Sequence, residues 1–99
     1  MIARRIQFLG AARRDLRRAV ARYDAESPGL GDELINEVDR CVDHISEFPE
    51  SGSPHLAGTR RLLTRRFPYS IVYQQRGQQI FVVAVAHQRR RPDFWLHRL

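Results

Sequence analysis

The sequence predicts an α+β fold in which a helical hairpin packs on a small, mostly antiparallel sheet, in the order β-α-α-β-β-β. Three observations predict this fold. Apolar residues recur at three- and four-residue steps in two segments before residue 49, which is typical of amphipathic helices. β-branched and aromatic residues dominate residues 69–87, as expected of strands. The 99 residues suffice for one core, so residues 1–99 are predicted to be a single domain.

The first strand and the first helix meet at Gly10. The segment "RIQFL" (5–9) alternates apolar and polar side chains, which predicts a short strand. After Gly10 the period changes to that of a helix. The apolar stripe of this helix consists of Ala12, Leu16, Ala19, Val20 and Tyr23.

The second helix has the clearest pattern in the chain. Its apolar stripe consists of Leu34, Val38, Cys41, Ile45 and Phe48. Ser27 is a candidate cap, Pro28 suits a first helical turn, and Pro49 ends the helix. Cys41 is the one cysteine, so no intramolecular disulfide is possible, and its place on the stripe predicts a buried thiol.

Three strands are predicted after the helices. They are residues 60–67, 69–74 and 79–87, with a tight turn at 75–78 that makes the last two a hairpin. The segment "QIFVVAVAH" (79–87) is almost continuously apolar, which predicts a central strand covered on both faces or nearly so. We expect this strand to lead residues 88–95 to the far edge of the sheet.

Charge is divided along the chain. Residues 1–23 carry seven arginines and one acid, residues 24–50 carry one arginine and nine acids, and residues 51–99 carry nine arginines and one acid. The formal net charge is +6, and every basic residue is arginine. This division predicts that the basic first helix and the acidic second helix pair at their edges. The remaining positive surface would then face an acidic partner.

Other classes of protein find little support. The four histidines have no zinc-ligand spacing, and no glycine-rich phosphate loop follows a strand, so we expect no metal and no cofactor. No apolar run approaches the ~20 residues that a membrane span needs. The N-terminus lacks the apolar core of a signal peptide, so we expect a cytoplasmic protein without membrane contact.

The chain resembles the RelE/ParE family of toxins from bacterial type II toxin–antitoxin pairs. The resemblance is carried, in this order, by "AARRDLRRAVARYDAESPGLGDELINEV" (11–38), "FPESGSP" (48–54), "TRRFPYSIVY" (64–73) and "VAVAHQRRRPDFW" (83–95). It implies a growth-inhibitory toxin, of the plasmid stabilisation type, that forms a hetero-oligomer with a cognate antitoxin. The pattern is nearer to ParE-like members, which inhibit DNA gyrase, than to RelE-like members, which cut messenger RNA at the ribosome.

The departures from the RelE-like pattern favour a binding protein. Those enzymes use lysines, arginines and a C-terminal tyrosine, but this chain has no lysine, and Phe94 or Trp95 takes the tyrosine position. We therefore expect a docking edge for target or antitoxin, formed by Arg60, Arg66, Tyr73, His87, Arg89, Arg90, Arg91, Phe94 and Trp95.

Within that edge several roles stay open. Phe94 and Trp95 either fold back on the core or meet the antitoxin, and Tyr73 is either sheet packing or a proton carrier. Alternation places two of the four arginines between residues 60 and 66 on each face of their strand, without deciding which pair faces outward. If the chain is a ribonuclease, His87, Arg90 and Arg66 form its catalytic set, because His87 has a suitable ordinary pKa of ~6.5.

Overall fold

The helices and strands follow the predicted order with one addition. The computed structural model describes residues 4–99. Its elements are β1 (Arg5–Phe8), α1 (Gly10–Glu26), α2 (Leu30–Glu47), β2 (Ser53–Pro54), β3 (Arg60–Leu63), β4 (Tyr69–Arg76) and β5 (Gln79–His87). The two-residue β2 lies in the predicted loop. Within residues 4–99 no helix has both the length and the apolar character needed to span a membrane.

The strands form one five-stranded sheet in the order β1-β5-β4-β3-β2. β1 is parallel to β5 and every other pair is antiparallel, so the α+β class and the mostly antiparallel sheet are confirmed. The central position predicted for β5 is confirmed, but the expectation that it leads residues 88–95 to the far edge of the sheet is wrong. β5 lies between β1 and β4, because β1 pairs with its other edge. The sequence alone does not predict which strand pairs there.

The helical hairpin closes at a different residue from the one predicted. Ser27 ends α1, its N–H donating to the Tyr23 carbonyl at 2.9 Å, and it does not cap α2. The N–H of Gly31 donates instead to Asp24 Oδ1 at 2.8 Å. A Cβ on Gly31 would lie 2.7 Å from Val20 Cγ1, so the close approach of the two helices needs a glycine there.

The main core lies between the hairpin and one face of the sheet. Its fully buried members include Ala12, Ala19, Leu34, Val38, Ile45, Ile71, Ile80 and Val82. The α2 stripe ends at Ile45, since Phe48 is 45% exposed at the helix end. Cys41 is half-buried, and burial raises the pKa of its thiol above the ordinary value.

A second, smaller core covers the opposite face of the sheet. Val72, Val83, Ala84 and Trp95 form it, and Phe94 packs against it. The register places Val72 opposite Ala84 and Tyr73 opposite Val82, so Val83 is the extra residue of a β-bulge. The bulge lets two consecutive apolar side chains of β5 reach the face on which Trp95 packs.

The predicted pairing of a basic α1 with an acidic α2 is wrong for residues 4–99, where no ion pair joins the two helices. The acids of α2 turn to the β3–β4 loop instead. Glu37 is buried and accepts the backbone N–H groups of Arg65 and Arg66, while exposed Glu33 pairs with the Arg66 guanidinium. Because this loop turns onto α2, β3 ends at Leu63 and not at the predicted residue 67.

Candidate functional site

A basic groove of about 370 Å³ lies on the sheet face opposite the helices. The open faces of β3, β4 and β5 form its floor, and the chain that follows β5 forms its wall. Its lining residues are His55, Arg61, Leu63, Ser70, Val72, Ala86, His87, Gln88, Arg90, Arg91, Pro92 and Trp95. We call this the basic groove.

Strand alternation decides which side chains reach the basic groove. Arg61 is opposite Val72 and Leu63 is opposite Ser70, so all four share the open face. Ala86 is opposite Ser70 on the next strand. The small side chains of Ser70 and Ala86 leave a depression between the arginines on either side, and a depression lined by guanidinium groups is suited to anions.

The C-terminal segment is held over the groove by stacked side chains. The Arg90 guanidinium carbon lies 3.8 Å from the Phe94 ring centroid, and that of Arg98 lies 5.2 Å from it. Trp95 is 1% exposed and packs in the second core. Arg90 is therefore positioned by an aromatic ring that itself packs on a buried residue.

A buried ion pair fixes the end of the same segment. Arg98 donates to both carboxylate oxygens of Asp15 on α1, at 2.6 and 3.0 Å, and to the Val83 carbonyl at 3.0 Å. The N–H of Val85 donates to Asp15 at 3.1 Å. β1 ends at Phe8, so its ladder with β5 stops at Val82, and the Asp15–Arg98 pair supplies hydrogen-bond partners to β5 beyond that point.

His55 reaches the groove from the loop before β3. Its ring centroid lies 5.7 Å from that of Trp95. Burial lowers the pKa of His55 and the nearby Arg61 lowers it further, while the Pro92 backbone acts in the opposite direction. The environment of the ring therefore favours its neutral form.

His87 lies at the rim, with its ring on the helix side of the sheet. The ring packs edge-on against Tyr69 with the centroids 5.1 Å apart, and Nδ1 accepts the N–H of Arg89 at 3.0 Å. Burial lowers the pKa of His87, and the charges of Arg22 and Arg89 lower it further. An accepting Nδ1 fits the neutral ring with its proton on Nε2.

Two predicted contact residues lie in the interior. Tyr73 is 1% exposed, and its hydroxyl donates to the Pro49 carbonyl at 2.7 Å and accepts the Gly52 N–H at 2.9 Å. The structure thus withdraws Tyr73 from the docking edge, because its hydroxyl already has both partners. The Trp95 ring folds back on the core, which is one of the two roles the sequence leaves open, and it also lines the basic groove.

The structure separates the predicted arginines. Arg89, Arg90 and Arg91 are exposed, and the last two line the groove. Arg60 is on the helix side of β3, where it donates to the Gly52 carbonyl at 2.8 Å. Arg66 pairs with Glu33 beside α2, so the predicted nuclease set of His87, Arg90 and Arg66 does not assemble in one groove.

Sequence reasoning leaves His55 and Ser70 out of the site and does not decide whether Arg61 faces the groove. Pairing of β3 with β4 decides that Arg61, and not Arg60, faces outward, and alternation within one strand cannot give this. The loop position of His55 carries no periodic signal. In residues 4–99 no three His, Cys, Asp or Glu side chains gather as metal ligands would.

Two helices on one face of a five-stranded mixed sheet, with an arginine-lined groove on the other face, define a small α+β protein with a basic surface groove. Comparison with known proteins gives the family. Residues 6–92 match the model of the ParE toxin of type II toxin–antitoxin systems, parDE. A protein of Sinorhizobium fredii named as a candidate toxin, Y4kP, is 31% identical over 91 residues, covering 90% of this chain and 95% of its own length.

Solved structures share the fold. A chain of the chromosomal ParDE system of P. aeruginosa superposes with a TM-score of 0.76 at 17% identity, covering 86% of this chain and 96% of its own. A free-state mutant of the E. coli toxin RelE gives 0.67 at 19%, covering 89% and 86%. The RelBE2 toxin–antitoxin complex of Mycobacterium tuberculosis gives 0.61 at 25%, covering 88% and 93%. The chain belongs to the ParE toxin family of type II toxin–antitoxin systems.

Proposed function

We propose that this toxin inhibits growth by binding an essential target, DNA gyrase, without cutting RNA, and that a cognate antitoxin neutralises it. The observation that carries the proposal is the chemistry of the basic groove. The groove offers fixed cations for an anion but no side-chain acid to protonate a leaving group.

RNA cleavage needs a base for the 2′-hydroxyl, cations for the phosphate and an acid for the leaving oxygen. Arginine supplies the cations but is a poor proton carrier, since it stays protonated at any working pH. The chain has no lysine, and its three tyrosines pack in the main core on the helix side of the sheet. Phe94 or Trp95 stands where a RelE-like enzyme would carry a tyrosine, and neither ring has a hydroxyl group that could transfer a proton.

The antitoxin partner is supported by charge and by the relatives. The solved relatives include a toxin–antitoxin system and a toxin–antitoxin complex. With a net charge of +6, the chain suits an acidic segment that folds on binding. Binding of this antitoxin would form a toxin–antitoxin hetero-oligomer.

One observation favours the alternative, a ribosome-dependent messenger RNA endonuclease. His55 is an imidazole whose environment favours the neutral form, in the same groove as Arg61 and Arg90, so it can accept a proton beside a bound phosphate. His87 is the other imidazole of the groove, but its ring packs on Tyr69 on the opposite side of the sheet. The two rings therefore face opposite sides of the sheet, which does not suit an acid–base pair acting on one bound phosphate.

The deciding experiment measures two activities, one of the purified chain and one of the chain expressed in cells. The first is inhibition of plasmid supercoiling by DNA gyrase, and the second is cleavage of transcripts in cells that express the toxin. We expect blocked supercoiling and intact transcripts. The double substitution Arg61→Gln/Arg90→Gln should weaken gyrase inhibition about tenfold or more, because it removes two cations from one site.

A matched double substitution, Arg5→Gln/Arg76→Gln, controls for net charge with two exposed arginines outside the groove. It should leave inhibition within about threefold of the original chain. Transcripts that are cut by the toxin, and left whole when His55→Asn or His87→Gln is introduced, would overturn the proposal in favour of the nuclease.

A further inference from the structure

The outer side of α1 carries four exposed arginines that neither the groove nor the core uses. We call Arg13, Arg14, Arg17 and Arg18 the arginine face. At about 100° of rotation per residue, the four side chains fall within roughly 140° of the helix circumference. The positions between them include Gly10 and Ala21, which are too small to anchor a partner.

Within residues 4–99 the side chains of these four arginines form no ion pair and no hydrogen bond, although the Arg13 guanidinium lies 5.9 Å from the Phe8 ring centroid. The ion pairs within residues 4–99 involve Arg40, Arg66, Arg91 and Arg98, and no member of the arginine face. The nearest acid on the helix, Asp15, points inward and is occupied by Arg98. The first turn of α1 contains no acid, so Arg13 and Arg14 lie near the positive end of the helix dipole without compensation.

We infer that the arginine face binds the phosphate backbone of double-stranded DNA. A protein partner is held by apolar and aromatic anchors in pockets, and this face has none. Single-stranded nucleic acid is held by aromatic stacking platforms, and no aromatic side chain is exposed on this face. Guanidinium groups without anchors match a regular array of phosphates, which they contact in pairs of hydrogen bonds.

The spacing of the four charges fits a strand of backbone. Arg13 and Arg17 form one row and Arg14 and Arg18 a second, each with a rise of about 6 Å between its members. Arg22 continues the second row and donates to the Tyr69 hydroxyl at 2.8 Å. Arg22 and Arg89 both lower the pKa of His87, so the duplex would run from α1 toward the C-terminal arginines and lie beside the basic groove.

The inference is independent of the target proposed for the groove. Phosphate contacts without base contacts are sequence-independent, so any duplex serves as the probe. The experiment measures binding of the full chain to a fluorescent 20-base-pair duplex over a series of salt concentrations. We expect binding whose log–log salt slope falls by about 2 to 3 in the variant Arg14→Gln/Arg17→Gln/Arg18→Gln, since each lost phosphate contact removes about 0.9.

The matched control is Arg5→Gln/Arg65→Gln/Arg76→Gln, which removes the same charge from exposed positions elsewhere. Its salt slope should change by less than about 1. Glutamine is a good helix former, so thermal melting should show that the α1 variant is folded. Gyrase inhibition is tested separately with the Arg61→Gln/Arg90→Gln variant. If the proposal for the basic groove fails, the test of DNA binding by the arginine face is unaffected.

Three results would overturn the inference. The two triple variants could lose affinity for the duplex equally, which would make the effect one of net charge. A single strand of the same length could bind more tightly than the duplex. The α1 variant could lose affinity for a purified antitoxin and keep its affinity for DNA, which would make the arginine face a protein contact.

Discussion

The two helices of the hairpin are almost equal in length, 17 and 18 residues, yet they use charge in opposite ways. Asp32 and Glu33 of α2 lie in its first turn, where the helix dipole stabilises them, and Glu33 and Glu37 hold the β3–β4 loop. Arg13 and Arg14 of α1 lie near the positive end of its dipole, and within residues 4–99 the exposed arginines of α1 form no ion pair, although Arg22 donates to the Tyr69 hydroxyl. The charges of α2 therefore serve the fold, whereas those of α1 are available to a partner.

Asp15 is the exception on α1, and removing its charge should have the largest effect. In Asp15→Asn the Arg98 guanidinium, whose side chain is 12% exposed, loses its counter-charge. Breaking a buried pair from one side destabilises by about 3 kcal/mol. Urea denaturation measures it, and Asp39→Asn on the exposed side of α2 should stay within about 0.5 kcal/mol of the original chain. Equal losses in the two variants would contradict a structural role for Asp15.

The next effect belongs to α2. Glu37→Ala leaves the N–H groups of Arg65 and Arg66 without their acceptor and should lower the free energy of unfolding by about 2 kcal/mol. Asp43→Ala, an exposed acid of the same helix, is the control for charge alone. Hydrogen exchange should show the β3–β4 loop losing protection in the first variant only. Unchanged protection of the loop would contradict the role of the α2 acids in holding it.

The smallest expected effect is a pH dependence of stability, which arises at His87 on the rim of the groove and is influenced by Arg22 of α1. Burial, Arg22 and Arg89 lower the pKa of His87, and burial and Arg61 lower that of His55. A lowered pKa means that the folded chain holds fewer protons than the unfolded chain. The stability that depends on neutral imidazoles is therefore complete above pH ~6.5 and is lost as the pH falls through the lowered values.

The melting temperature should fall between pH 7.5 and pH 5. In His87→Gln this fall should be smaller. Arg22→Gln should also reduce it in part, since it removes one of the charges that oppose protonation. Identical pH profiles for all three chains would show that His87 does not couple to α1.

The two helices, the order of strands after them and the central position of the last strand follow from patterns within single segments. The stripe of Leu34, Val38 and Ile45 has the helical period, and "QIFVVAVAH" (79–87) has no polar face. The basic C-terminal cluster could be predicted in the same way, since consecutive arginines before a proline do not enter a core. Such features depend on neighbours within a few residues, and the sequence specifies those directly.

The candidate site depended on contacts between distant segments. Strand pairing chose Arg61 over Arg60 for the open face, and the fold brought His55 beside Trp95, 40 positions later in the chain. The pairing of β1 with β5 gave β5 neighbours on both sides, and Asp15 of α1 pairs with Arg98 near the C-terminus. A sequence read segment by segment shows which faces are apolar or charged. Which face meets which depends on packing and register across the whole chain, and only the tertiary structure decides that.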